Sequence, residues 1–175
     1  MRDRIRRYVY FTMTIVAVFV VLKTLNWIPL VLQQGTLRTY DSIEAVKAKL
    51  NIRDIRVPTY FPQSVTWPPS EIWAQTKPYV ATLMVFRRAG TIGPALVISQ
   101  AASDRTALDD RIRILQVKES VPYDLKGRNA LLKVGICEQN DVCSRISWNE
   151  GNSAMTVTMK SSPFELIKIA EGLVP

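Results

Sequence analysis

The chain has 175 residues, 23 Lys/Arg against 15 Asp/Glu, and no histidine. Without an imidazole the commonest general base, the usual metal ligand and every histidine-based triad are excluded. Residues 1–40 carry six Lys/Arg and one Asp (+5) and residues 41–175 carry 17 Lys/Arg and 14 Asp/Glu (+3), so most of the formal +8 is N-terminal and supplies no nucleic-acid footprint.

Arg2, Arg4, Arg6 and Arg7 precede an apolar run from Tyr8 to Leu22. That run alone covers about 22 Å, and its extension through Lys23 and Asn26 to Trp27 covers about 30 Å, the hydrocarbon thickness of a bilayer. The pattern predicts a single transmembrane helix. Tyr8, Tyr10 and Trp27 would sit at the interfaces, and Lys23 would snorkel to the headgroups. The positive-inside rule then places a basic tail (1–7) in the cytoplasm, a span with its interfacial segment over 8–32, a linker over 33–40 and an exported domain over 41–175. That topology corresponds to a bacterial inner membrane. A cleaved signal peptide is the competing reading, but no small-x-small site follows the apolar run.

Asp41 and Glu44 read as a capping box for a short helix carrying Ile43, Val46 and Leu50 on one face. A proline-marked stretch follows, VPTYFPQSVTWPPSEIW, in which Pro58, Pro62, Pro68 and Pro69 prevent a long regular element. Pro69 can open one helical turn containing Ile72 and Trp73. Tyr60, Phe61, Trp67 and Trp73 either bury themselves over a core or form a platform for a partner.

Strand patterns then run over Tyr79–Arg87, Ala95–Ala101, Ile114–Val121, Asn129–Cys137, Cys143–Trp148 and Ala154–Met159. Ser103–Arg113 reads as a solvated loop or short helix, and Pro122–Gly127 as a turn. Ser162, Pro163 and Glu165 open a last helix, with Leu166, Ile169, Ala170 and Leu173 as its apolar stripe. The expected fold class is α+β. One transmembrane helix leads into a curved antiparallel sheet packed with N- and C-terminal helices.

Cys137 and Cys143 flank five residues. In an exported domain the pair is expected to form a disulfide worth about 2 kcal/mol on the chain-entropy model. With the opposite topology both would be free thiols. Two thiols without a histidine do not complete a zinc shell, so no metal is expected. No cofactor is expected either: Gly90, Gly93, Gly127 and Gly135 make no phosphate-cradling loop, and the serines lack a partner base. Asp109 and Asp110 are adjacent and point apart on any regular element.

VPTYFP, the pair LMVFRR and ALVISQ, and the final ISWNEGNSAMTVTMKSSPFELIKIAEGL together resemble a bacterial cell-surface domain of unknown function. That domain occurs outside single membrane spans, including in proteins that regulate sigma factors, and is distantly similar to lipoprotein-carrier half-barrels. The resemblance covers about residues 52–174 and implies no catalytic residues.

These readings favour a non-enzymatic, membrane-anchored accessory subunit whose partners are the lipid bilayer and other subunits of a membrane complex, not nucleic acid. The expected contact surface is Ile28, Leu30, Leu32, Tyr60, Phe61, Trp67 and Trp73. The alternative is an envelope sensor or lipid-binding regulator with an apolar cavity lined by Met84, Phe86, Val97 and Trp148. An enzyme is the third reading and would need a cleft holding two perturbed carboxylates.

Overall fold

The structure, a computed structural model, describes residues 12–21, 23, 37–102 and 111–175. The chain divides into two compact units, 1–37 and 38–175.

In the first unit residues 12–21 are helical, and apolar side chains such as Met13 and Phe19 are exposed. Among the described residues no helix is long and apolar enough to cross a membrane. The expected transmembrane helix is therefore corrected, together with the single-pass anchor and the inner-membrane location. Lys23 is helical and exposed. Tyr8, Tyr10, Trp27, Ile28, Leu30 and Leu32 lie outside the described residues, as do the basic tail and 103–110.

The fold expectation is corrected in the second unit as well, which is mostly one eight-stranded antiparallel sheet. Its strands are β1 (Arg38–Tyr40), β2 (Glu71–Gln75), β3 (Ala81–Arg87), β4 (Pro94–Ala101), β5 (Ile114–Leu125), β6 (Arg128–Cys137), β7 (Val142–Glu150) and β8 (Ser153–Met159). The spatial order is β1-β2-β3-β4-β8-β7-β6-β5. Two four-stranded meanders thus meet along the β4–β8 ladder, from Leu96 opposite Met159 to Ala101 opposite Ala154. Helices α1 (Ile43–Leu50) and α2 (Pro163–Leu173) complete the described elements, with a 3-10 turn at Glu138–Asn140.

Side chains alternate across the sheet. One face carries Ile72, Met84, Phe86, Leu96, Ile98, Ile146, Trp148, Met155 and Val157, which pack with Ile43 and Val46 of α1 and with Leu166, Ile169, Ala170 and Leu173 of α2. The opposite face carries a smaller cluster of Leu83, Val85, Val97, Ile112, Cys137 and Cys143. Strands β3 and β8 are therefore buried along nearly their whole length.

Several local readings change. Ser42, not Asp41, caps α1, its Oγ accepting from Ala45 N at 3.0 Å, because the helix starts at Ile43 and puts that amide in reach. Arg38–Tyr40 and Glu71–Gln75 are strands, not linker and helical turn, since each pairs with a neighbour far along the chain. Pro122 lies inside β5, opposite Leu131. An edge strand tolerates proline because its outward amide has no ladder partner. The hairpin turn falls instead at Lys126 (φ 51) and Gly127 (φ 80), two left-handed residues as a type I′ turn requires.

The edge strand β5 is irregular, with register shifts between Ile114 and Gln116 and between Val117 and Glu119. These bulges bend it over β6. At Gly135 an added Cβ would stand 2.1 Å from the Gln116 carbonyl oxygen and 2.7 Å from Ile114 Cγ2. The close approach lets Ile112 and Ile114 cover the smaller cluster. It also disrupts the open edge, which is how edge strands avoid pairing with other chains. Gly135→Ala is expected to lower unfolding free energy by about 1–3 kcal/mol, the range for overpacking. A reduced urea midpoint with unchanged slope checks this.

Candidate functional site

The segment between α1 and β2 is long and lacks regular structure, yet it is tied at several points to the sheet and to α2. The buried Gln100 amide receives Arg56 N–H at 3.1 Å and donates to the Asp54 carbonyl at 2.6 Å. Thr59 N–H donates to the Gly172 carbonyl at 3.2 Å. Thr66 N–H and Oγ1 both donate to the Arg87 carbonyl, at 2.9 and 3.0 Å, and Ser70 N–H and Oγ do the same to Val85, at 2.8 and 3.0 Å. Pro58 and Pro62 are buried, so the prolines pin the segment as well as interrupt it.

The aromatic residues on this segment are held at defined angles. The Phe61 ring lies 5.0 Å from Trp67 and 5.3 Å from Phe86, both tilted. Trp67 stacks at 6.1 Å on Phe86, which is fully buried. Trp67 itself stays 53% exposed and Tyr60 36% exposed, although the neighbouring Thr59 and Thr66 amides are bonded. A cleft of about 590 Å³ opens beside them, lined by Tyr60, Phe61, Pro62, Gln63, Ser64 and Glu165.

Glu165 and Lys168 of α2 complete the rim. Tyr60 Oη donates to Glu165 Oε2 at 2.7 Å, Lys168 Nζ pairs with Glu165 Oε1 at 3.8 Å, and the same ammonium stands 5.7 Å over the Tyr60 ring. The Glu165 carboxylate accepting this bond holds the Tyr60 phenol above its ordinary range. Glu165 is at the position where a capping box would turn it back to the helix start, and here it serves the tyrosine instead. Ser162 is the extended N-cap residue but makes no side-chain bond to the helix. Phe164, in the same helical turn, is 74% exposed.

Trp73 does not join this surface. It lies on the opposite sheet face beside Leu83 and Val85. Its Nε1 donates to Glu71 Oε2 at 3.1 Å, and the Arg111 guanidinium covers its ring at 4.8 Å. Arg87 and Arg111 also pair with Glu71, at 3.1 and 3.6 Å. The Trp73 bond, aided by both arginines against partial burial, holds the Glu71 carboxyl below the usual glutamate range. A second depressed carboxyl is Glu150, held down first by its two-pronged bond to Arg128 at the far end of β6 and β7. Neither carboxylate lines the cleft beside Tyr60 or the one described below, and each has a cation as structural partner.

The cavity expected for a lipid-binding reading is not assembled as proposed. Met84, Phe86 and Trp148 share the helix-covered face, whereas Val97 points to the other. Cys137 and Cys143 are bonded, with Cα atoms 5.8 Å apart, and close the β6–β7 loop. Among the described residues no group of three or more His, Cys, Asp or Glu could hold a metal ion. Comparison with known proteins finds no family model, no curated protein and no solved structure that matches the chain.

The sequence contains no signal for Glu165 and Lys168 as rim residues. They are about 105 positions from Tyr60 and meet it only through the docking of α2. The same holds for Arg111 over Trp73.

Glu71 and Glu150 have folded-state values below their unfolded ones. Their contribution is present above the unfolded value of about 4.3 and is lost as pH falls through the lower folded value. The thermal midpoint is expected to fall on acidification below about pH 4.3. Glu71→Gln should flatten that acid limb, as a melting series in matched buffers would show.

Proposed function

We propose that residues 38–175 form a non-enzymatic docking module whose Tyr60–Phe61–Trp67 shelf receives an uncharged, apolar, extended segment of a partner protein. The observation that carries this reading is Trp67. It is about half exposed on a segment held to β3 by paired backbone and hydroxyl bonds. A rigid exposed indole loses little conformational entropy on binding, and tryptophan and tyrosine are the residues that dominate interface energies. The charge on the rim favours an uncharged occupant, since Glu165 is already met by Tyr60 and Lys168. An aromatic groove of this size fits an extended segment better than a globular surface.

Peptide display on the immobilised full-length chain tests the reading. Selection is expected to enrich uncharged apolar sequences. Trp67→Ala should weaken the selected peptides by about 30-fold or more, roughly 2 kcal/mol. A melting curve run in parallel separates lost binding from lost folding. Enrichment of charged sequences, or binding that survives both Trp67→Ala and Tyr60→Ala, would overturn the proposal.

A further inference from the structure

A second cleft, of about 390 Å³, opens where the β3–β4 turn, the disulfide loop and the β8–α2 connection meet; its lining includes Arg88, Thr91, Gln139, Asp141, Lys160 and Ser161. The geometry points to this cleft as a binding site for the phosphate group of a small phosphomonoester, held between Arg88 and Lys160.

Arg88 reaches across the cleft mouth, its Nη2 donating to the Lys160 carbonyl at 3.4 Å. That bond aims the guanidinium while using one of its five N–H donors. Among the described residues neither Arg88 nor Lys160 is paired with a carboxylate, unlike Arg56, Arg87, Arg111, Arg128 and Lys168. A phosphomonoester carries close to two negative charges at neutral pH. Two cations flanking one cleft match it better than they match a carboxylate, and a guanidinium fork is suited to bidentate phosphate contact. Ser161 and Thr91 also line the cleft, but their hydroxyls already donate to the Ser162 and Arg88 carbonyls, at 2.9 and 3.0 Å, so the two cations carry the anion contact. The cleft exceeds the volume of a bare phosphate, which leaves room for an organic remainder.

The wall opposite Lys160 is the loop closed by Cys137 and Cys143. Gln139 (φ 65) and Asn140 (φ 64) are both left-handed there, and Cys137 N–H donates to the Asp141 carbonyl at 2.9 Å. Two consecutive non-glycine residues in that region persist only where the surroundings enforce them, and such positions cluster at ligand clamps. The disulfide is the enforcing link, so an intact bridge and a formed site go together. Among the described residues Asp141 brings the only carboxylate into the lining and opposes the anion, so its neutralisation should strengthen binding.

Calorimetric titration of the oxidised full-length chain with inorganic phosphate and with glycerol 3-phosphate tests this. Saturable binding of both is expected, tighter for the ester. Arg88→Ala and Lys160→Ala should each weaken it about tenfold or more, Asp141→Asn should tighten it severalfold, and reduction of the disulfide should weaken it. Arg88 is exposed and Lys160 half-buried, so neither truncation empties the core; a melting curve on each variant confirms this. Absence of saturable binding for both probes would overturn the proposal, and so would affinities unmoved by Arg88→Ala and Lys160→Ala.

Discussion

The ladder between β4 and β8 is the constraint on which the rest of the second unit depends. It joins residues 96–101 to residues 154–159 and turns two separate meanders into one sheet. Each meander alone is four strands with one apolar face. Joined, they present a face wide enough for both helices, and the central strands are buried on both sides. The register also decides what meets at the sheet's end. With Leu96 opposite Met159 and Met159 opposite Ser144, the β3–β4 turn, the disulfide loop and the start of α2 are brought to one edge. The aromatic shelf and the basic cleft both follow from that register.

Two tryptophans six positions apart show how the sheet assigns roles. Trp67 precedes β2 on a segment bonded to β3 through Thr66 and Ser70, and its ring rests on Phe86 while leaving one side open. Trp73 lies within β2, where strand alternation turns it to the opposite face and into the Glu71–Arg111 cluster. There its N–H and ring are both engaged. The ion pairs around Glu71 are partly exposed, and such pairs contribute about 0–1 kcal/mol each. Their main effect is positional: they hold Arg111, and with it Ile112, over the smaller apolar cluster.

Much of the sheet was legible in the chain. Branched and aromatic runs marked β3, β4, β6, β7 and β8, and the stripe Leu166, Ile169, Ala170, Leu173 marked the buried face of α2. What was illegible has physical causes. β1 and β2 are short, and their strand character comes from pairing, β1 with β2 and β2 with β3, which local patterning does not encode. Pro122 signals a turn in any local reading, but at a sheet edge its missing amide matters little. At the N-terminus, the apolar run reached membrane thickness only when extended across Lys23 and Asn26. Among the described residues no helix is long and apolar enough to cross a membrane. Of the aromatic residues expected to form one contact surface, Tyr60, Phe61 and Trp67 converge and Trp73 does not.

The sequence by itself determined the alternation of strands, the start of the last helix at Pro163, the nearness of Cys137 to Cys143 and the absence of imidazole chemistry. Each of these is local or compositional and survives in any fold. Only the tertiary structure decided which sheet face each aromatic ring occupies, that Glu165 and Lys168 rim the Tyr60 cleft, and that Arg88 and Lys160 share another. Those pairings span from about 70 to 105 residues of chain, and their geometry exists only once the β4–β8 register and the docking of α2 are in place.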